Sequence, residues 1–172
     1  MKTRNLALTI ICLTMAVACH SDPPMVVPPA QRKGPDMKEH LINANRTVAQ
    51  SEETAIDEYI ARRQWPMEKL TDGARLWIYQ SGKGAKVEME DSVRVIYSIE
   101  AINGKRIYDN VEERYVAGRR SEMTGLDAAV LQMRRGDRAR VILPSNLGYG
   151  IGGDGDRIPQ SAILVVDLRV ED

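Results

Sequence analysis

The side chain whose setting points most directly to chemistry is Tyr149, which stands between Gly148 and Gly150. Flanking glycines permit a tight turn, so the tyrosine can project from the backbone. A Gly-rich loop follows, and residues 158–167 then read as a closing strand that is apolar on both faces. A hydroxyl held beside an apolar wall is suited to hydrogen-bond a peptide carbonyl in a dry pocket.

Composition argues against several other kinds of site. The chain has two histidines and two cysteines, and they form neither a metal-ligand cluster nor a nucleophilic triad. The acidic stretch 152–156 resembles a calcium-binding repeat, but a single copy between strands indicates a flexible loop. We therefore expect no metal and no cofactor. Lys+Arg and Asp+Glu both number 24, so we expect no nucleic-acid partner.

Strand-like segments dominate the chain after Pro66. Asn103-Gly104 predicts a hairpin turn, and residues 124–133 predict a short helix closed by Gly136. The predicted strands are residues 76–79, 93–99, 139–143 and 163–170. Strands with one short helix and an irregular loop indicate an α+β domain, in which an antiparallel sheet wraps around the helix.

Residues 36–65 predict a helical segment. Apolar side chains recur there at helical spacing until Trp65-Pro66 ends the run, with residues 51–54 as a point where the helix could restart. These side chains are Met37, Leu41, Ile42, Val48, Ala49, Ala55, Ile56, Tyr59 and Ile60. Their face needs a partner, and two remain open: the sheet of the same chain, or a second copy in a homodimer.

The first residues are typical of an export signal. Lys2 and Arg4 precede an apolar run over residues 6–18, which is too short to span a bilayer but suits a signal core. The segment Ala-Val-Ala-Cys that ends at Cys19 resembles a bacterial lipobox. We therefore expect residues 1–18 to be removed as a lipoprotein signal peptide and Cys19 to be lipidated. A plain cleaved signal is the alternative.

Residues 19–35 predict an extended tether between that cysteine and the helix. Five of the eight prolines of the chain lie at positions 23, 24, 28, 29 and 35, and such a segment forms neither helix nor sheet. A lipidated Cys19 would therefore hold the rest of the protein near a membrane. We expect a lipid-anchored protein of the bacterial cell envelope, on the outer membrane and facing the periplasm.

The order of motifs after residue 66 resembles that of FKBP-type peptidyl-prolyl cis-trans isomerases. The motifs are Val95-Ile96-Tyr97, Asn103 to Asp109, Gly125-Leu126, Gln132 to Ala139, Leu143 to Gly150 and Ile158 to Asp167. With the lipobox and the helical segment, the chain also resembles the gliding-motility-associated FKBP lipoproteins of Bacteroidetes. The resemblance implies an FKBP-like fold for residues 66–172 and proline-containing polypeptides as substrates.

The resemblance also implies roles for particular residues. It gives the catalytic positions as Tyr97, Tyr108, Asp109 and Tyr149, and the substrate-binding positions as Met123, Leu126, Ile158 and Val166. Asp109 would be a buried carboxylate beside the bound peptide, and Tyr149 would donate its hydroxyl to the amide. The alternative for Asp109 is that it caps the turn after Asn103-Gly104.

Several positions depart from the family pattern. Leu126 stands where many members have tryptophan, and Val166 and Tyr108 each replace a phenylalanine. Glu113 falls near the position of the remaining pocket ring, and Tyr115 is the nearest aromatic residue. A pocket with fewer rings buries less of a proline side chain, which weakens binding.

Two functions follow from these features. The first is a peptidyl-prolyl isomerase that assists the folding of exported proteins, since an X-Pro bond isomerises in tens of seconds without a catalyst. The second is a non-catalytic FKBP-like chaperone or docking module of a secretion or motility apparatus, in which the same groove holds extended segments.

Overall fold

The computed structural model describes residues 37–120 and 122–171. The chain divides into two units, residues 1–40 and residues 41–172. Of the first unit only residues 37–40 are described, and they are helical and exposed. The predicted signal peptide, the lipidation site Cys19 and the tether lie outside the described residues.

The second unit is built on a six-stranded antiparallel sheet. Its strands are β1 (Glu68–Lys69), β2 (Arg75–Gln80), β3 (Ser92–Ala101), β4 (Arg106–Val116), β5 (Arg138–Leu143) and β6 (Leu164–Val170). Their order across the sheet is β1-β2-β5-β6-β3-β4, and every neighbouring pair is antiparallel. The last strand of the chain therefore lies at the centre of the sheet, between β5 and β3.

The inner face of the sheet packs on a short helix, α2 (Thr124–Val130). Alternate residues along β5 and β6, such as Val141 and Val166, bury their side chains in one core with Leu126 of that helix. The alternation follows from strand geometry, because successive side chains point to opposite faces. This core positions α2 and the turns on either side of it.

The outer face of the same strands is covered by the long helix α1 (Met37–Arg63). Ile56 and Tyr59 on this helix are buried against Ile142 of β5 and Val165 of β6 in a second, smaller core. Because α1 covers β6 on this face and α2 covers it on the other, apolar residues are needed at consecutive positions of that strand. The predicted packing of the helix on the sheet of its own chain is thus present.

Only the second half of α1 takes part in this packing. Leu41, Ile42 and Val48 continue the apolar pattern, yet each is about half exposed, and Leu41 reaches 57%. The helix also runs without a break across residues 51–54, where the sequence allowed a restart. The apolar residues therefore extend further towards the N-terminus of the helix than the contacts that the helix makes with the sheet.

Aromatic side chains secure the end of α1 to the sheet. The ring of Trp65 lies 5.7 Å from that of Tyr59 and 6.0 Å from that of Trp77, between centroids. The guanidinium of Arg140 on β5 lies 4.4 Å from the centroid of the Trp65 ring. These contacts join the last turn of the helix to β2 and β5.

The predicted fold class is confirmed: an antiparallel sheet packs on a short helix and is preceded by a longer N-terminal helix. Among the described residues, no helix is both long and apolar enough to cross a membrane.

Truncation of a side chain between α1 and the sheet tests this arrangement. We expect Ile56→Ala to lower the free energy of unfolding by about 2–4 kcal/mol, because Ile56 is fully buried and the change leaves a cavity. Leu41→Ala on the same helix should change it by less than about 0.5 kcal/mol, because Leu41 is exposed. Urea unfolding of the two variants measures both changes in the free energy of unfolding. Equal decreases would contradict the packing of α1 on the sheet.

Candidate functional site

The turn that carries Tyr149 follows directly from β5. Residues 145–147 form one 3₁₀ turn, and the Gly148 N–H donates a hydrogen bond to the Ser145 carbonyl at 3.1 Å. A side chain at position 148 would place its Cβ 3.1 Å from the Leu164 Cδ1, so glycine lets the chain pass close over β6. The close approach explains why a glycine precedes the tyrosine.

The Tyr149 hydroxyl makes no hydrogen bond with any residue that the structure describes. Its side chain packs partly against the inner core, and burial raises the pKa of Tyr149 above its ordinary value. The hydroxyl therefore stays protonated at neutral pH and keeps its hydrogen available for an acceptor that enters the site.

An open hollow of about 460 Å³ lies beside this tyrosine. It is lined by Tyr108, Glu122, Gly148, Tyr149, Gly153 and Asp154. Two of the four predicted catalytic residues, Tyr108 and Tyr149, thus line one hollow.

Asp154 organises the wall of the hollow opposite Tyr149. Its Oδ1 accepts hydrogen bonds from the N–H groups of Asp156, Arg157 and Ile158 at 2.9, 2.9 and 2.8 Å. Its Oδ2 accepts a hydrogen bond from the Tyr108 hydroxyl at 2.5 Å. Desolvation opposes ionisation, but the Tyr108 and N–H hydrogen bonds prevail and lower the pKa of Asp154 to about 2. The same hydrogen bond is the main reason that the pKa of Tyr108 rises to about 12.

Tyr97 is paired with a different carboxylate, that of Glu113. Its hydroxyl donates to the Glu113 Oε2 at 3.0 Å, and Arg120 donates to the same oxygen at 2.8 Å. The Arg120 side chain is 6% exposed, and its guanidinium lies 5.8 Å from the centroid of the Tyr97 ring. Burial raises the pKa of Tyr97 to about 12. The Tyr97 ring and hydroxyl are thus held by an ion pair whose arginine is nearly buried.

The same arginine connects this cluster to the segment before α2. Its Nε donates to the carbonyl of Glu122 at 2.7 Å, and its guanidinium lies 5.2 Å from the centroid of the Tyr115 ring. The Tyr115 hydroxyl is buried and has no hydrogen-bond partner among the described residues. Arg120 therefore links β4 to the backbone that leads into Met123.

The prediction that Asp109 is a buried carboxylate beside the substrate is wrong. Its side chain is 57% exposed and accepts hydrogen bonds from the Ser98 hydroxyl at 2.9 Å and from Arg106 at 2.6 Å. These two bonds lower the pKa of Asp109. It does not cap the preceding turn either, since the Asn103 side chain accepts the hydrogen bond from the Lys105 N–H there.

A β-bulge accounts for this outward placement. Tyr97 pairs with Val111 and Ile99 pairs with Tyr108, so Ser98 alone faces two residues of β4, Asp109 and Asn110. Asn110 adopts a φ of 49° and its N–H donates to the Ser98 hydroxyl at 3.0 Å. An extra residue changes the face to which the neighbouring side chains point. The carboxylate at 109 is thereby turned away from the hollow.

The four predicted substrate-binding residues all belong to the inner core. Leu126 and Val166 are 0% exposed, and Met123 and Ile158 are also buried. Met123 adopts a left-handed backbone conformation, and its N–H donates no hydrogen bond to any described residue. The predicted floor of the pocket is therefore inaccessible to solvent in this structure, and the Met123 N–H near Leu126 along the chain has no partner in the part of the chain that the structure describes.

Sequence reasoning missed three residues of the site. Glu113 was noted only as the occupant of a ring position, and Arg120 was assigned no role. Asp154 was treated as part of a flexible loop. An aspartate followed by glycine, as here, is however typical of a turn in which the aspartate side chain accepts hydrogen bonds from backbone N–H groups further along the chain. No signal in the sequence pairs Arg120 with Glu113, because the pairing depends on how β4 folds back towards α2. Among the described residues, no group of three or more His, Cys, Asp or Glu side chains could hold a metal ion.

Comparison with known proteins gives a consistent result. The sequence profile of the family described as FKBP-type peptidyl-prolyl cis-trans isomerase matches residues 83–171. FK506-binding protein 2 of Dictyostelium discoideum is 29% identical over 89 residues, which cover 49% of this chain and 67% of that protein. A probable FKBP-type peptidyl-prolyl cis-trans isomerase of Haemophilus influenzae is 30% identical over 101 residues, which cover 55% of this chain and 40% of that protein.

The fold has close counterparts among solved structures. A peptidyl-prolyl cis-trans isomerase from Pseudomonas syringae superimposes with a TM-score of 0.61 at 24% identity, over 74% of this chain and 93% of that one. At that identity the match concerns the fold alone. The match covers 67% of the length of the Dictyostelium relative and 40% of that of the Haemophilus relative. It covers 19% of the length of a third relative, peptidyl-prolyl cis-trans isomerase FKBP53 of Arabidopsis thaliana.

The conformation of the loop after Tyr149 should depend on the ionisation of Asp154. The folded pKa of about 2 lies below the ordinary value of 3.8, so this carboxylate stabilises the loop fully above pH 4 and loses that effect as the pH falls towards 2. We expect the amide signals of residues 153–158 to broaden or shift over this interval in NMR spectra.

Asp154→Asn should produce the low-pH spectrum of this loop already at pH 7. Asp156→Asn is the matched control, since its exposed side chain pairs with Arg157 at 3.5 Å and accepts none of the backbone hydrogen bonds that Asp154 accepts among the described residues. Loop spectra that are identical in the wild-type protein and Asp154→Asn at neutral pH would contradict the role given to this carboxylate.

Proposed function

Since the chain belongs to the FKBP-type peptidyl-prolyl cis-trans isomerase family, whose members are isomerases, we propose that it catalyses the cis–trans isomerisation of X-Pro bonds in polypeptides. The observation that carries this proposal is Tyr149, which lines an open hollow and whose hydroxyl has no hydrogen-bond partner among the described residues. Proline-containing segments of polypeptides are the substrates.

The reaction needs no nucleophile and no proton transfer. The barrier of ~18–20 kcal/mol comes from amide resonance, which is lost as the imide twists. A site lowers the barrier if it binds the twisted imide better than the planar one, and each 1.36 kcal/mol of preference gives about tenfold in rate. Hydrogen-bond donors to the carbonyl oxygens and a dry, apolar surface for the proline ring supply such a preference.

The residues described above fit these requirements in part. Tyr149 donates its hydroxyl to the carbonyl of the substrate. Tyr108 forms a wall whose orientation is set by Asp154. The N–H of Met123 and the ring of Tyr97, which is held by Glu113, belong to the buried core and could contact a substrate only after the core opens.

The apolar floor becomes available only through a movement of side chains. Leu126 and Val166 are fully buried, so a proline ring can contact them only after neighbouring groups are displaced. Opening therefore adds a free-energy cost to substrate binding, and we expect a modest catalytic rate.

The same burial favours a second candidate, a module that holds polypeptides without catalysis. A substrate that stays at the open hollow would contact Tyr108 and Tyr149 but not the core. The exposed apolar side chains of the first half of α1, such as Leu41 and Val48, would add contact surface in that case. The same exposed stretch is also suited to pair with a second copy of the chain.

We further propose that the protein assists the folding of exported proteins while anchored to the outer membrane by a lipid on Cys19. The support comes from the sequence, in which a short apolar run, a lipobox-like segment and a Pro-rich tether follow one another. Attachment of more than one acyl chain to this cysteine would allow stable anchoring, because a single acyl chain gives only weak, reversible membrane binding.

Removal of one hydroxyl tests the catalytic proposal. We expect Tyr149→Phe to lower the exchange rate of an X-Pro peptide about five- to tenfold, since one hydrogen bond contributes about 1 kcal/mol. Exchange NMR on a proline peptide measures this rate, and peptide chemical-shift changes in the same sample report binding separately.

Tyr79→Phe is the matched control, because its hydroxyl bonds to Asp167 on the outer face of the sheet. If the wild-type protein binds the X-Pro peptide but does not accelerate its cis–trans exchange, the result would favour the non-catalytic module. A loss in Asp109→Asn as large as that in Tyr149→Phe would contradict the outward placement of that carboxylate.

The anchor is tested by fractionation of cells that express the full chain. Cys19→Ser should move the protein from the membrane fraction to the soluble fraction, whereas Cys12→Ser should leave it in place. Mass spectrometry of the mature N-terminus should show acylated Cys19, and an unmodified residue there would contradict the proposal.

A further inference from the structure

We propose that Glu52 of helix α1 is a positioning residue, which holds the catalytic turn so that the Tyr149 hydroxyl points into the hollow. This inference rests on the proposed role of Tyr149 in isomerisation. It goes beyond that role because Glu52 lies outside residues 83–171, the part of the chain that matches the family, and would still contribute to catalysis.

The contact between the helix and the turn is direct and specific. One carboxylate oxygen of Glu52 accepts a hydrogen bond from the Ser145 N–H at 2.9 Å, and the other accepts one from the Ser145 hydroxyl at 2.6 Å. Both oxygens therefore act on the first residue of the 3₁₀ turn 145–147.

Burial gives this contact its strength. Glu52 is 9% exposed and Ser145 is 7% exposed, although glutamate is seldom buried in proteins. A carboxylate with little access to water must find its hydrogen bonds within the protein. On the same helix face, Ile56 and Tyr59 are fixed against β5 and β6, so the carboxylate is held by a rigid support.

The turn between Ser145 and Tyr149 transmits this constraint. The Leu147 N–H donates to the Pro144 carbonyl at 3.0 Å and the Gly148 N–H donates to the Ser145 carbonyl at 3.1 Å, so one short hydrogen-bonded turn separates the anchor from the tyrosine. Leu147 packs on α2, since a Cβ on Gly125 would lie 2.9 Å from the Leu147 Cβ. The turn is thus held by α1 at its start and by α2 at its middle.

Tyr149 itself has no hydrogen bond that would fix its hydroxyl among the described residues. Its orientation therefore depends on the backbone that precedes it. Without the Glu52 carboxylate, the buried Ser145 N–H would lose its acceptor and the turn would rearrange to find another. A donor that must meet a carbonyl in the transition state loses much of its effect when it is displaced by about 1 Å.

The experiment is a double-mutant cycle on the full chain. We expect Glu52→Ala to lower kcat about tenfold with KM changed less than twofold, because the donor acts in the transition state. In the Tyr149→Phe background the same change should alter kcat less than twofold, since the hydroxyl that it positions is absent. Glu58→Gln is the control on the same helix, and its exposed side chain should have no effect.

Two further measurements keep the test decisive if Glu52→Ala folds poorly. Ser145→Ala removes the hydroxyl but keeps the backbone hydrogen bond, so a smaller loss of kcat, about threefold, is expected. NMR of ring-labelled tyrosine, with Tyr149 assigned from Tyr149→Phe, should show a shifted or broadened Tyr149 signal in both variants. This signal needs no activity, so it tests the positioning even if the wild-type protein proves not to be an isomerase.

Equal losses of kcat from Glu52→Ala in the two backgrounds would overturn the proposal, since they would assign Glu52 a general structural role. An unchanged Tyr149 ring signal in Glu52→Ala and Ser145→Ala would overturn it as well.

Discussion

Burial of β5 and β6 on both faces is the constraint on which the rest of the structure depends. Side chains alternate along a strand, so each of these strands must be covered twice. The inner face packs on α2 through Val141 and Val166, and the outer face packs on α1 through Ile142 and Val165. The turn that leaves β5 is therefore reached by both helices, and the position of the hydroxyl that it carries depends on both.

The tyrosine hydroxyls in this part of the protein differ in how they are satisfied. Tyr97 of the inner core is paired with Glu113, and Tyr108 at the hollow is paired with Asp154. Among the described residues, the hydroxyls of Tyr115 and Tyr149 have no hydrogen-bond partner, but that of Tyr115 is buried whereas Tyr149 lines the open hollow. An unpaired donor is costly inside a protein but is useful at a surface where a carbonyl can bind. This difference in access is the reason that the proposed catalytic donor is Tyr149 and not Tyr115.

The fold was predictable from the sequence to a greater extent than the site. Period-two alternation and an Asn-Gly turn located the strands and the hairpin, and helical spacing located α1. The carboxylate partner of Tyr97 was not predictable in this way. The bulge opposite Ser98 adds a residue to β4, which turns Asp109 outward, and the carboxylate that meets the tyrosine is that of Glu113. Bulges have no reliable sequence pattern, because they depend on how two strands come into register.

The sequence by itself determined strands β2, β3, β5 and β6 and the helices α1 and α2, that the last strand is apolar on both faces, and that a tyrosine between glycines is presented by a turn. Those features depend on neighbours along the chain. Only the tertiary structure decided that the second half of α1 covers β6, that Glu113 pairs with Tyr97 while Asp109 lies exposed, and that Glu52 binds Ser145. The last contact joins residues 93 positions apart. Burial and hydrogen bonding over such a separation arise only once the sheet has brought the segments together, so no local pattern could encode them.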